Sequence, residues 1–245
     1  MKWKELLVKK KRMVQIDFNK IEKILGLEFS NIDLLKRALT HRSFLNENKE
    51  WGEIGHNERL EFLGDSILGL IVAEYLFKEY SELREGDLTA LRAALINSDS
   101  LLEVADRLNL KKYLLVSKGE KNELEKSHPY FLANAIEAIV GAIYLDKGFN
   151  DAREFVAKHI LSKADNIFKT DAYIDPKSLF QEKSQENLSI TPIYKTLKSW
   201  GPDHLKQFRV GVYFKKEFIA EGEGHSKQEA EVSAAKEALS KKGWK

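Results

Sequence analysis

Apolar residues recur at helical spacing from Phe18 to about Phe168, then switch to strand-like alternation after Lys169. Ile21, Ile24 and Leu25 open a stripe, and Leu34, Leu35, Ala38 and Leu39 continue it in a second segment. Further segments of helical period cover residues 57–80, 85–98, 100–108, 130–145 and 150–168. Glycine and proline punctuation is sparse in this half. The pattern predicts an all-helical domain with short connections, and an exposed charged loop over 118–126.

After a polar linker, Pro176 suits the first turn of a helix reaching about Asn187. Residues 193–200 read as a strand broken by Gly201-Pro202. Phe208, Val210, Val212 and Phe214 alternate with Arg209, Gly211, Tyr213 and Lys215, the mark of a half-buried strand. Lys215-Lys216 turns the chain into a third strand over 217–223, and a last helix runs from Ser226 to about Lys241. The expected fold class is α+β and multidomain. A basic extension at 1–15 precedes an all-α N-terminal domain at 16–168. A linker at 169–174 leads to a small α-β-β-β-α domain at 175–242.

Composition narrows the function classes. The 245 residues include no cysteine, which excludes disulfides and thiolate metal sites and fits a reducing compartment. The apolar run Ile67–Ala73 is far too short to span a membrane, and the basic first dozen residues lack the apolar stretch of a signal peptide. The expectation is a cytoplasmic protein without a membrane partner. The net charge of +2 conceals an asymmetry. Residues 1–13 hold six Lys/Arg against one acid, residues 175–245 thirteen against ten, and residues 14–174 only 21 against 27. An acidic middle suits metal binding, while basic ends suit phosphate contacts.

The acids are arranged as well as numerous. Glu58, Glu61 and Asp65 are spaced by three and four, so a helix stacks them on one face, with Leu60, Leu63 and Ile67 on the other. Stacked like charges cost helix stability unless a cation sits among them. Asn134 and Glu137 are three apart and are the only strongly polar residues between Leu132 and Tyr144. A carboxylate in so apolar a segment needs a partner or a metal. Glu85 adds an acid at a helix start. The six histidines form no ligand spacing; His41, His56, His128 and His159 read as structural or surface residues.

The stretch His56-Asn-Glu-Arg-Leu-Glu-Phe-Leu-Gly-Asp-Ser66 resembles the signature of ribonuclease III, the double-stranded RNA endonuclease. Leu34-Leu-Lys-Arg-Ala-Leu-Thr-His-Arg-Ser43, Glu85-Gly-Asp-Leu88 and Ala142-Ile-Tyr-Leu-Asp146 extend the resemblance in order along the chain. It implies an all-helical endonuclease domain that hydrolyses duplex RNA with Mg²⁺, Mn²⁺ being able to substitute. The products would carry 5′-phosphate and 3′-hydroxyl ends with short 3′ overhangs, cut from ribosomal and messenger RNA precursors. By position, Glu61, Asp65, Asn134 and Glu137 fall on metal-binding places. Asp65, Glu137, Glu58 and Glu85 fall on the acids of catalysis, Glu58 and Glu85 serving further metal or RNA contacts. Hard oxygen donors suit Mg²⁺, which polarises the phosphate and activates water.

One position departs from that family. Ribonucleases III carry an aspartate where this chain has Asn134, which can ligate through its amide oxygen but brings no charge. The alternative function is therefore a duplex-RNA-binding protein with little or no nuclease activity.

The second domain resembles a double-stranded RNA-binding domain, through Gln181-Glu-Lys-Ser-Gln185, Pro192-Ile-Tyr194, Gly201-Pro-Asp-His204, Gly222-Glu-Gly224 and Ser226-Lys-Gln-Glu-Ala230. The implied RNA contacts are Gln181, Gln185, Pro202, His204, Ser226 and Lys227. Ser226 and Glu229 form a capping-box pattern, and Ala230, Ala234, Ala235, Ala238 and Leu239 a small-residue stripe suited to a sheet. The family's Lys-Lys pair is Lys227-Gln228 here. The family also forms a homodimer through its nuclease domain, and Phe62 occupies the position whose ring enters the partner subunit.

Overall fold

The structure, a computed structural model, describes residues 16–121, 130–202 and 205–244. The basic extension, His128, His204 and much of the expected 118–126 loop lie outside the described residues. Those described form two compact units. One takes in residues up to Arg84 together with Arg92–Asp165, and the other Glu85–Leu91 together with the chain from Asn166 onward.

The first unit is helical. α1 (Phe18–Leu25), α2 (Ile32–Ala38) and α3 (Arg42–Glu47) lead to the long α4 (Glu58–Glu79). α5 (Glu85–Ile96), whose first turns belong to the second unit, is followed by α6 (Ser98–Arg107). α7 (Phe131–Lys147) and α8 (Phe149–His159) complete the set. Side-chain oxygens cap the early helices: Asp17 accepts from the Lys20 amide and Asn31 from that of Asp33.

α4 and α7 form the centre. Leu60, Ile67, Leu68, Ile71, Val72 and Leu76 of α4 are buried, and α7 is buried along nearly its whole length from Phe131 to Ile143. Burying helices of this composition removes a large apolar area from water, which is the main stabilising term. The two helices cross at glycines. A Cβ at Gly64 would collide with the Glu137 carbonyl oxygen, and one at Gly141 with that of Leu60. Backbone thus meets backbone at the crossing. Asp146, at the end of α7, accepts from the amides of Ser30 (2.8 Å) and Asn31 (2.7 Å) and pins the start of α2. The Tyr80 hydroxyl donates to Asp165 at 2.9 Å and fastens the end of α4.

Residues 118–121, expected in a loop, are helical, and two further parts differ from the sequence expectation. The six-residue α3 was not anticipated: its cap is His41 rather than Ser, Thr, Asp or Asn, and it is too short to show a period. The expected helix over 150–168 is three pieces: α8, a 3₁₀ turn at Leu161–Lys163, and α9 (Ala164–Lys169). The break falls at Ile160, where φ is −118°, with neither glycine nor proline to announce it.

In the second unit α10 (Pro176–Leu188) precedes an antiparallel sheet in the order β1-β2-β3, followed by α11 (Lys227–Lys242). The strands are β1 (Ile193–Trp200), β2 (Gln207–Phe214) and β3 (Glu217–Gly224), close to the alternation read from sequence. Tyr194 pairs with Val212 and Val212 with Ala220, so the apolar face of β2 sits central. Phe180 of α10 stacks on Phe214 at 5.4 Å, and Trp244 covers both rings. Ala230, Ala234, Ala235 and Ala238 are fully buried, as the small-residue stripe implied. They let α11 lie so close on β3 that a Cβ at Gly222 would strike the Ala234 amide.

Candidate active site

The start of α4 is fixed by backbone bonds from three segments. Leu115 N–H donates to the Leu39 carbonyl (2.8 Å), His41 N–H to that of Leu115 (2.9 Å), and Asn57 N–H to that of Thr40 (2.9 Å). α4 then presents Glu58, Glu61 and Asp65 on successive turns. The three acids do not share one exposed face equally. Glu58 and Asp65 are exposed, whereas Glu61 is half-buried against α7.

From the facing helix, Asn134 and Glu137 project as the half-buried residues in an otherwise buried run. The Asn134 amide donates to the Glu61 carboxylate. Burial, then repulsion from Asp65 and Glu61, pushes the Glu137 carboxyl up to about 7. Burial also raises Glu61, against the Asn134 bond that lowers it, with Glu58 and Asp65 adding repulsion. The glycine crossing brings these groups together, since it lets the helix carrying Glu61 and Asp65 touch the helix carrying Glu137.

Three carboxylates and one amide around the crossing are therefore an electrostatic frustration. Among the described residues, no three His, Cys, Asp or Glu side chains stand in a metal-ligating group. The donor chemistry nonetheless fits a hard divalent cation. The donors are all oxygen, and the negative charge on Glu137 is opposed by its neighbours rather than paired.

Glu58 has a different environment. Arg42 Nη1 lies 3.6 Å from one of its oxygens and His56 Nδ1 3.7 Å from the other. Sequence spacing along α4 missed this pairing, because Arg42 opens another helix and His56 precedes α4. The only signal was their membership of the two quoted motifs. His41 is structural, as expected. Its Nδ1 accepts from the Ser43 amide, its ring lies 5.3 Å from Phe131, and burial lowers its pKa. The His159 ring packs 4.7 Å from Phe155. Glu85 opens α5 in the second unit and accepts from the Thr89 hydroxyl at 3.1 Å. Phe62, between the acids, is 78% exposed.

In the second unit Gln181 and Gln185 are exposed one turn apart on α10, each next in sequence to a buried residue, Phe180 and Ser184. Ser226 Oγ accepts from the Glu229 amide at 3.1 Å. Glu229 in return accepts from the amide of His225 (2.9 Å), one residue earlier than a standard capping box. Lys227 is exposed beside this helix start and Pro202 is exposed in its loop. Among the described residues no helix is long and apolar enough to cross a membrane.

Residues 31–164 match the family model described as Ribonuclease-III-like, and residues 176–242 match the double-stranded RNA binding motif. The protein named Ribonuclease 3 of Leptospira interrogans is 43% identical over 218 residues, covering 89% of this chain and 87% of the relative. That of Dehalococcoides mccartyi is 42% identical over 224 residues, covering 91% and 94%. The nuclease domain of ribonuclease III from Campylobacter jejuni, described for flexibility in a region involved in its dimer formation, superimposes with a TM-score of 0.54. It is 43% identical and covers 60% of this chain and 97% of its own.

Proposed function

The chain belongs to the ribonuclease III family and is an endoribonuclease of that type, and from this premise we propose that it cleaves double-stranded RNA with Mg²⁺ as its cation. The products carry 5′-phosphate and 3′-hydroxyl ends with short 3′ overhangs. The substrates are duplex regions of ribosomal and messenger RNA precursors in the cytoplasm. The carrying observation is the coupling across the α4–α7 crossing, of Glu61 to Asn134 and of Glu137 to Asp65 and Glu61, in a chain that also bears a duplex-RNA-binding motif.

Glu61, Asp65 and Glu137 would hold the cation, with Asn134 donating its amide oxygen in place of a carboxylate. Once bound, Mg²⁺ supplies charge to the scissile phosphate and acidity to a water. The residues themselves do the positioning. The glycine crossing sets the spacing of the two helices, and Asn134 orients Glu61. Glu137, whose charged form is opposed by burial and by Asp65 and Glu61, would gain most from a bound cation, which favours its carboxylate. Gln181, Gln185, Pro202, His204, Ser226 and Lys227 take the minor-groove and phosphate contacts of an A-form duplex. The homodimer forms through the nuclease domain around Phe62, which gives one site for each strand.

The test is incubation of the chain with a long RNA duplex across a Mg²⁺ series, with end analysis of the products. Cleavage with the stated ends supports the proposal. Asn134 favours a second reading, duplex binding with little or no cleavage, which predicts retention of the duplex and no products at any Mg²⁺ concentration.

A further inference from the structure

The acidic cluster poses a problem for its own substrate. A phosphodiester is an anion, and three carboxylates surround the point it must approach. Glu58 repels Glu61 as well, but unlike the other acids it faces two basic side chains, Arg42 and His56, on opposite oxygens. Arg42 is also held where it is. It is the first residue of α3, behind the His41 cap, and the His41 backbone is tied to Leu115. Yet its side chain is 72% exposed, and 3.6 Å to Glu58 exceeds hydrogen-bond distance. Attraction to Glu58 therefore orients the guanidinium without consuming its N–H donors. A planar fork of such donors is the side chain best matched to a phosphate.

We propose that Arg42 is a substrate-contact residue that grips an RNA backbone phosphate beside the acidic cluster, with Glu58 and His56 as the positioning residues that aim it. The inference rests on the duplex-RNA reading above. Glu58 thereby serves as the counter-ion of a phosphate clamp, while Glu61, Asp65 and Glu137 face the cation.

The experiment compares wild type, Arg42→Ala and Arg42→Lys as full chains. Duplex RNA binding is measured in EDTA over a salt series, and cleavage over a Mg²⁺ series. Arg42→Ala should weaken binding about 5- to 30-fold and make the slope of log affinity against log salt shallower by about one. KM should rise while kcat stays within about twofold, and the Mg²⁺ midpoint should stay put. Arg42→Lys should restore the salt slope but only part of the affinity, because an ammonium lacks the fork. An unchanged affinity and slope in Arg42→Ala overturns the proposal, as does a shifted Mg²⁺ midpoint with unaltered binding. If wild type binds duplex but never cleaves it, the nuclease reading falls, while the salt slopes still decide the role of Arg42. If wild type does not bind duplex, both fall.

Discussion

The Asn134 amide donates a hydrogen bond to the Glu61 carboxylate across the crossing of α4 and α7. An aspartate there would replace a donor by a second anion facing the first. Asn134→Asp should therefore lower the melting temperature in EDTA by roughly 1–4 °C, from added like-charge repulsion. The same change should lower the Mg²⁺ concentration for half-maximal cleavage by about 5- to 150-fold, since the cation gains a carboxylate. Thermal melts in EDTA and cleavage against Mg²⁺ check both arms. Identical Mg²⁺ curves would leave Asn134 a tolerated replacement.

Glu137 gives a pH signature. Its carboxyl is pushed from an ordinary 4.5 up to about 7 by burial, then by Asp65 and Glu61, so the fold favours its protonated form. That contribution is fully present below about pH 4.5 and is lost as pH rises through 7. In EDTA, Glu137→Gln should flatten this part of the stability profile. It should raise the melting temperature at about pH 8 by ~1–2 °C, a small effect because solvent screens a half-buried group. Parallel profiles for the two proteins would remove Glu137 as its source.

The glycine crossing predicts a steric result. Gly64→Ala places a methyl group where the Glu137 carbonyl oxygen stands. The helices must separate, at a cost of about 1–3 kcal/mol or more in urea denaturation. Because Glu61 and Asp65 move away from Glu137 together, cleavage by the folded fraction should fall about 100-fold. Loss of stability with full specific activity would show that the spacing does not matter to the chemistry.

Phe62 is 78% exposed while its helix neighbours Leu60 and Gly64 are buried, so the subunit alone gains little from its ring. Phe62→Ala should shift the chain from dimer to monomer in sedimentation at roughly micromolar concentration, with little change in monomer stability. A wild-type chain that sediments as a monomer would end the dimer assignment.

Much of this was legible because helices and strands impose periods on their sequences. The two-residue period of Phe208 to Phe214 marked β2 nearly to its ends, and Leu60 and Ile67 marked the buried side of α4, although Leu63, read with them, is only half-buried. The spacings of Glu61 to Asp65 and Asn134 to Glu137 placed each pair on one side of its helix for the same reason. Contacts between distant segments leave no such period. Nothing local announces that Gly64 and Gly141 mark a backbone-to-backbone crossing. Nor does spacing along α4 reveal that Glu58 meets Arg42 and His56 while Glu61 meets Asn134. Tertiary contact divides three acids that looked alike in sequence into two electrostatic environments.

The short stretch from Glu58 to Asp65 carries the basic-clamped acid, the acids facing α7, the exposed aromatic ring and the crossing glycine on one continuous helix. Adding or removing one residue inside it would rotate everything beyond by about 100°. The ring would swing out of phase with the carboxylates, and the glycine would leave the crossing. A substitution in this segment disturbs one of these groups at a time, whereas an insertion or deletion would displace them all together.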